Sequence, residues 1–348
     1  MKKIKYTISP PTFTEKEFID LYNSRINYTY NKTKSNLFKN VFISNSGLII
    51  RCYLLPFRSA ENLIGNQDHT FYFKHWRKAI EQYFVCKYGN SLNSIHLEDE
   101  TLYFTIHTPW FGYFSWITTC LPRLISVLEK HPDAQLIYPE EWNKFPYIKE
   151  SLNQFPNLKI KIIPIDHHIF IRHFLFEPCR EWTSHFDETY LLKIQSYFYS
   201  TFQLLGSKKK FKRIYISRAY SERRKVINEN ELELYLMSKG FEIVYMEKLT
   251  FSQQVSLMYE SEIVISTHGA GLANVNFMNK DSILIELTPI LSDFSNFRFP
   301  FWRMANLLGV RYHSVFCYIV NKKKEEYESD IAIDLKKLKK ILDFYHLP

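Results

Sequence analysis

The chain has 348 residues, 46% of them hydrophobic and 23% charged, an ordinary globular composition that excludes a disordered, collagen-like or coiled-coil chain. The aromatic fraction is high at 17%, and glycine is scarce, with 9 residues, so a glycine cluster stands out. Lys and Arg outnumber Asp and Glu by 45 to 36, and the resulting +9 charge suits an anionic partner: a nucleic acid, a phosphorylated small molecule or an anionic membrane surface.

The first ninety residues mix short aromatic strands with polar loops and are hard to read. Order improves at residues 101–107 (TLYFTIH), which alternate and predict a strand. Residues 116–129 have helical spacing, with Pro122 expected to kink or restart the helix. A short strand at 135–138, a helix at 140–153 and a strand at 159–165 (KIKIIPI) follow. A long amphipathic helix covers 187–205 and ends at Gly206. A second α/β run then begins. Strands are predicted at 213–217 (RIYIS), 241–245 (FEIVY), 263–266 and 282–287 (SILIEL). Between them lie a helix at 230–239 closed by Gly240, a helix capped by Ser252 that runs to about Glu260, and a short helix ending at Met278. A terminal helix covers 334–346. The pattern predicts an α/β protein of two Rossmann-like domains, residues 1–185 and 186–330, with a carboxy-terminal helix in 331–348. Two such domains facing across a cleft would bind ligands at the carboxyl ends of their strands.

Five cysteines (Cys52, Cys86, Cys120, Cys179 and Cys317) are widely spaced and include no CxxC pair, which argues against a zinc ribbon or a disulfide framework. The opening MKKIKYTISPPTFTEKEF lacks the apolar run of a secretory signal, and no stretch approaches about 18 apolar residues, so a cytoplasmic location is expected.

Three motifs carry chemistry. The first is STHGAGLAN, with His268, Gly269, Ala270, Gly271 and Asn274, which follows an apolar strand and opens a helix. Small residues let backbone approach a ligand, and free N–H groups at a helix start favour a diphosphate. A tight turn with a structural histidine is the competing reading. GxGxxG and Walker motifs are absent, and no GxSxG elbow follows to make this an esterase oxyanion loop. The second motif, ISRAYSERRKVINENE, delivers Arg218, Arg223, Arg224 and Lys225 directly after a strand, with Asn228 beyond them. Guanidinium forks match phosphate oxygens. A solvated basic loop with a helix cap at Asn228 remains open. The third is Glu286, an isolated acid ending SILIEL, placed to accept from ribose hydroxyls or to pair with a neighbouring arginine. Trp110, Phe111, Tyr113, Phe114 and Trp116 suit either sugar stacking or a core.

With these residues in view, the chain resembles glycosyltransferase family 61. The resemblance is carried by ISRAYSERRKVINENEL, by GFEIVYMEKLTFSQQVSLMYESEIVISTHGAGLANVNFM, by SILIELTP and by WRMANLLGVRYHSV, across about residues 213–316. A weaker match runs through GYFSWITTCLPRLISVLEKHPDAQLIYP. It implies a GT-B fold, with an acceptor-side domain at 1–185 and a nucleotide-sugar domain at 186–330. It also implies inverting transfer from a nucleotide sugar, mostly UDP-linked in relatives, to a glycan or lipid-linked glycan acceptor, as in capsule or surface polysaccharide synthesis. Carried over by position, Arg218 and Arg223 contact the diphosphate and His268 through Gly271 line the donor pocket. Asn228 joins the donor-binding set, Asn274 supports the loop, and Glu286 holds the ribose or uracil side. Ser115 stands where many members have a histidine before Trp116.

An inverting displacement needs a base on the acceptor side; His107 is the expected one, with Asp68 and His69 behind it. No DxD follows a strand, and Glu98-Asp99-Glu100 reads as a turn, so no metal and no other cofactor is expected. A peripheral membrane contact is also expected, and nucleic acid is not. The competing classes are a basic nucleic-acid-binding protein, which lacks a recognisable motif, and a non-catalytic carbohydrate-binding relative, which Ser115 keeps open.

Overall fold

In the computed structural model the described residues are 2–32, 34–44, 49–51, 81, 83–85, 93–106, 112–178, 186–206, 211–295, 297–323 and 325–345. They form two compact units. Unit 1 comprises Met1–Ile4 and Thr29–Phe186, and unit 2 comprises Lys5–Tyr28 and Asp187–Pro348. Strands β1 (Lys2–Thr7) and β2 (Asn27–Lys32) pair with each other, and both changes of unit fall within them.

Unit 1 is built on β3 (Asn36–Ile43), β4 (Ile49–Arg51), β5 (Ser94–Leu97), β6 (Tyr103–Phe104), β7 (Gln135–Pro139), β8 (Lys159–Ile163) and β9 (His168–Phe176). The sheet order is β4-β3-β9-β6-β7-β8, with β5 also on β9. The pairs β9–β6, β6–β7, β7–β8 and β5–β9 are parallel, whereas β3 runs antiparallel to both β9 and β4. The sheet is therefore mixed, which departs from a purely parallel Rossmann pattern. Val41, Ile137, Ile171, Phe174 and Phe176 form its core.

Two prolines shape the helices of this unit. A π-helical turn, Trp116–Cys120, leads into the α-helix Leu121–Lys130, whose first turn holds Pro122. Proline lacks the N–H that a continuous helix would need there, so the helix restarts. The single helix predicted at 140–153 is instead a 3-10 turn, Glu140–Lys144, and an α-helix, Pro146–Leu152. Phe145, before the proline, is extended, as steric contact with the ring demands.

Unit 2 contains β10 (Lys212–Ile216), β11 (Glu242–Val244), β12 (Ser261–Thr267), β13 (Ile283–Pro289), β14 (Arg311–Val320) and β15 (Asp330–Ala332). The order is β11-β10-β12-β13-β14-β15, parallel except for β15. The winding direction reverses between β10 and β12. In a doubly wound sheet that reversal opens a crevice at the carboxyl ends of the two strands.

The helices of unit 2 are punctuated by their caps. Asp187 caps Glu188–Thr201 by accepting from the Thr189 amide at 3.0 Å. Helix Glu229–Ser238 ends before Gly240, whose φ of +75° only glycine adopts readily. Helix Phe251–Glu260 is capped by Thr250, with Gln253 reaching back to the Thr250 amide, so Ser252 is not the cap.

The domain limits read from the sequence differ from this arrangement in two places. Helix Leu335–Phe344 is not a separate element: Leu338, Ile341 and Leu342 share a core with Tyr215, Ile263 and Ile285. Residues 5–28 also belong with unit 2. The Thr12 amide donates to the Tyr312 carbonyl at 3.1 Å, the Ser9 amide to Asn306 Oδ1 at 3.0 Å and Trp302 Nε1 to the Ser9 carbonyl at 2.9 Å. Tyr22 is fully buried among Phe299, Trp302, Tyr312 and Phe316. Among the described residues, no helix is long and apolar enough to cross a membrane.

Candidate active site

The winding reversal brings together the loops that leave β10 and β12. The first loop is set by Ser217. Its amide donates to the Val244 carbonyl at 2.9 Å, its hydroxyl donates to Glu229 at 2.8 Å, and it accepts from the Ala219 amide at 3.2 Å. Arg218 follows, half-buried, with Nη2 donating to the Arg223 carbonyl at 3.2 Å. Its guanidinium lies directly against Gly269 of the second loop, where a Cβ would overlap Nη1. A side chain at 269 would thus push the Arg218 guanidinium out of this place, an effect of close approach and not of backbone angle, since the Gly269 φ of 172° is open to any residue. Around Gly271 there is open space.

The electrostatics of this corner are unusual. The Nε atoms of Arg218 and Arg224 are buried and lack a hydrogen-bond partner among the described residues. Burial, then the neighbouring Arg223, holds the Arg218 guanidinium below its ordinary range. Burial, then Arg218 and Arg223, pulls Arg224 down to about 10. Arg223 itself is ion-paired with Glu328. Three guanidiniums so close repel one another, and an anion with several oxygens would relieve both the repulsion and the unmet N–H groups.

On the other side of Gly269, His268 is positioned by the hydrogen bond its amide donates to the Leu287 carbonyl at 3.1 Å. Its ring packs near Phe297 and Phe301, with centroids at 4.8 and 5.1 Å. Nδ1 lies 2.5 Å from Glu286 Oε1, and the Tyr312 hydroxyl donates to Oε2 at 2.6 Å. A carboxylate accepts, so Nδ1 carries the proton and Nε2 is the ring nitrogen left for other chemistry. Glu286 is 1% exposed, and both its oxygens face protein donors. Its partners are a histidine and a tyrosine, where the sequence suggested an arginine or a ribose. Burial, then the Glu286 charge, pushes the Tyr312 hydroxyl well above its ordinary range.

The remaining expected donor residues divide clearly. Ala270 begins the short 3-10 helix Ala270–Phe277. Asn274 is fully buried and donates to Gln254 at 3.0 Å, while Gln254 donates to the Met246 and Leu249 carbonyls, so the asparagine braces the loop from behind. Asn228 sits at a helix start, but its amide is spent on Ile333: it donates to the carbonyl at 2.9 Å and accepts from the N–H at 3.0 Å. It joins the helix start to the segment after β15 and is not brought into the Arg218–His268 group.

In unit 1, His107, Asp68, His69, Trp110 and Phe111 lie outside the described residues. Trp116 is buried, donates to Ser151 at 2.9 Å and packs edge-on against Trp142, so it is core. Asp99 accepts from the Thr101 amide and from Tyr103, the turn expected for that acidic cluster. Arg123 is buried, with Nε donating to the Glu177 carbonyl at 2.9 Å and Nη2 to the Thr105 carbonyl at 3.0 Å. Among the described residues, no group of three or more His, Cys, Asp or Glu side chains is placed to hold a metal ion.

Two contributors were not singled out from the sequence. Arg224 was visible within the basic run, but its burial was not. Tyr312 stood in RYHSV, where nothing local links it to Glu286; the link comes from the β13–β14 register, which pairs Leu284 with Tyr312 and Glu286 with Ser314.

Residues 113–285 match the family model Glycosyltransferase 61. The chain carries a family 61 glycosyltransferase domain. The family 61 match includes Arg218, Arg223, Asn228, His268, Gly269, Ala270, Gly271 and Asn274, and it stops one residue before Glu286. No curated protein matches the chain. The family 61 match supports glycosyltransferase activity, and the mixed α/β architecture with parallel sheets agrees with it.

Proposed function

We propose that this protein transfers a sugar with inversion from a UDP-linked donor to a glycan or lipid-linked glycan acceptor, in capsule or surface polysaccharide synthesis at the cytoplasmic side of a membrane. The observation that carries the donor half is the Arg218 guanidinium seated on Gly269 at the winding reversal, with unmet N–H groups on Arg218 and Arg224. In this reading unit 2 holds the nucleotide and unit 1 offers the acceptor in a GT-B arrangement.

The chemistry is a single displacement. The acceptor oxygen forms a bond to the anomeric carbon as the bond to the diphosphate oxygen breaks. The electron pair leaves with the diphosphate, and the hydroxyl proton passes to a base, for which His107 is proposed. Charge growing on the diphosphate is met by Arg218, Arg223 and Arg224, and by His268 in its doubly protonated form, with Nδ1–H held by Glu286 and Nε2–H left to donate. These groups supply the stabilisation without a metal ion, so chelation is expected to leave the rate unchanged.

A thermal-shift screen of nucleoside diphosphates and nucleotide sugars, followed by UDP-release assays with and without chelator, tests the reading. A donor at a hundred times its dissociation constant is expected to stabilise the fold by about 2.7 kcal/mol. No shift with any nucleotide, together with salt-dependent DNA binding, would favour the nucleic-acid reading instead. Binding without turnover would mark a non-catalytic relative.

A further inference from the structure

The structure leaves one aromatic cluster of unit 2 unexplained by packing or by the diphosphate corner. Tyr220 lies two residues beyond Arg218 in the loop after β10 and is 61% exposed. Tyr245 directly follows β11, and the two rings meet edge to face with centroids 5.0 Å apart. Lys248 lies over both rings, with Nζ 4.2 Å from the Tyr220 centroid and 4.6 Å from that of Tyr245, and it donates to the Tyr220 hydroxyl at 2.9 Å. The bond from the Ser217 amide to the Val244 carbonyl fixes the two loops side by side.

We propose that Tyr220, Tyr245 and Lys248 form the platform that receives the nucleobase of the donor. The inference rests on the diphosphate reading above and adds a second subsite to it. Strand order places the arginines at the β10–β12 reversal and the tyrosines at the β11–β10 side of the same sheet end. A nucleoside diphosphate laid across those ends has its phosphates on one and its base on the other. Two residues of chain span at most about 7 Å, so Tyr220 stays within a ribose's reach of Arg218.

The cluster also has the right chemistry. A tyrosine ring that stays largely open to solvent offers stacking surface, and every base has a π face. The cation over both rings keeps them in place. An ammonium donates and never accepts, so Lys248 favours a base that presents carbonyl oxygens. Uracil has two and adenine none, so the platform selects UDP over ADP.

Titration calorimetry with UDP, ADP and inorganic pyrophosphate, on the wild type, Tyr220→Ala, Tyr220→Phe and Lys248→Met, decides the matter. UDP affinity is expected to fall about ten- to a hundredfold in Tyr220→Ala and to survive in Tyr220→Phe, while pyrophosphate binds all four proteins equally. Lys248→Met is expected to narrow the preference for UDP over ADP. Undiminished UDP binding in Tyr220→Ala, with pyrophosphate still bound, overturns the platform and leaves the diphosphate site standing. Loss of pyrophosphate along with UDP in Tyr220→Ala also overturns it, since Tyr220 would then only hold the arginine loop. If pyrophosphate fails to bind the wild type, the diphosphate reading itself falls.

Discussion

Each unit withdraws arginine N–H groups from solvent, and the two do so in opposite ways. In unit 1, Arg123 sends Nε and Nη2 to the carbonyls of Glu177 and Thr105 and so pins the segments that follow β9 and β6. Its charge is spread over backbone acceptors, and the residue works as a structural rivet. In unit 2, Arg218 and Arg224 stand beside Arg223 with Nε atoms that meet no acceptor among the described residues. Mutual repulsion among three adjacent guanidiniums works against the fold, and the Glu328 carboxylate paired with Arg223 is the one acid bridged to them among the described residues. A chain keeps such a group when something else supplies the missing acceptors. In this comparison the satisfied arginine holds architecture, and the unsatisfied pair lies at the corner where we place the diphosphate.

The contrast can be broken by substitution. The largest effect is expected from Arg218→Ala, which should cut sugar transfer by about 100- to 1000-fold, the usual cost of one donor to a developing anion, while the melting temperature stays near that of the wild type. A variant that unfolds instead would put Arg218 in the same class as Arg123. Arg123→Met comes next: two buried carbonyls lose their donors, and urea unfolding should show a loss of about 3 kcal/mol. An unchanged urea midpoint would remove its structural role. The smallest effect has the opposite sign. Arg224 sits at a left-handed φ of +61°, which asparagine tolerates, and Arg224→Asn removes one of three repelling charges. It should stabilise the fold by about 1 kcal/mol, raising the melting temperature by about 2–4 °C, while weakening pyrophosphate binding. A destabilised Arg224→Asn would show that the cluster is held together by the fold's own acceptors.

Much of unit 2 was legible because its strands are short apolar runs. The pieces 213–217, 263–266 and 282–287 all emerged as strands within a residue or two of β10, β12 and β13. Strands β9 and β14 were missed. Their segments HIFIRHFLF and RYHSVFCYIV interleave His, Arg and Ser with apolar residues, and only a central place in a sheet buries them. The true cap, Thr250, did carry a local signal, since Thr-x-x-Gln is a capping box. The motif residues Arg218, His268 and Gly269 were legible by type, but their contacts were not. The seat of Arg218 on Gly269 and the hold of Tyr312 on Glu286 arise from strand order and register, which no local spacing encodes.

The placement of residues 5–28 in unit 2 has a consequence for how the chain is made. Ser9 and its partner Asn306 lie 297 positions apart. At 5–20 residues per second, a ribosome takes roughly 15–60 s to cover that distance, so the segment waits as the rest of the chain emerges. Unit 1 can close during that wait, whereas the carboxy-terminal unit can take in Tyr22 only after Trp302, Tyr312 and Phe316 have appeared. A segment synthesised well ahead of its partners is thus among the last to find its place, beside the strand that brings Tyr312 to Glu286.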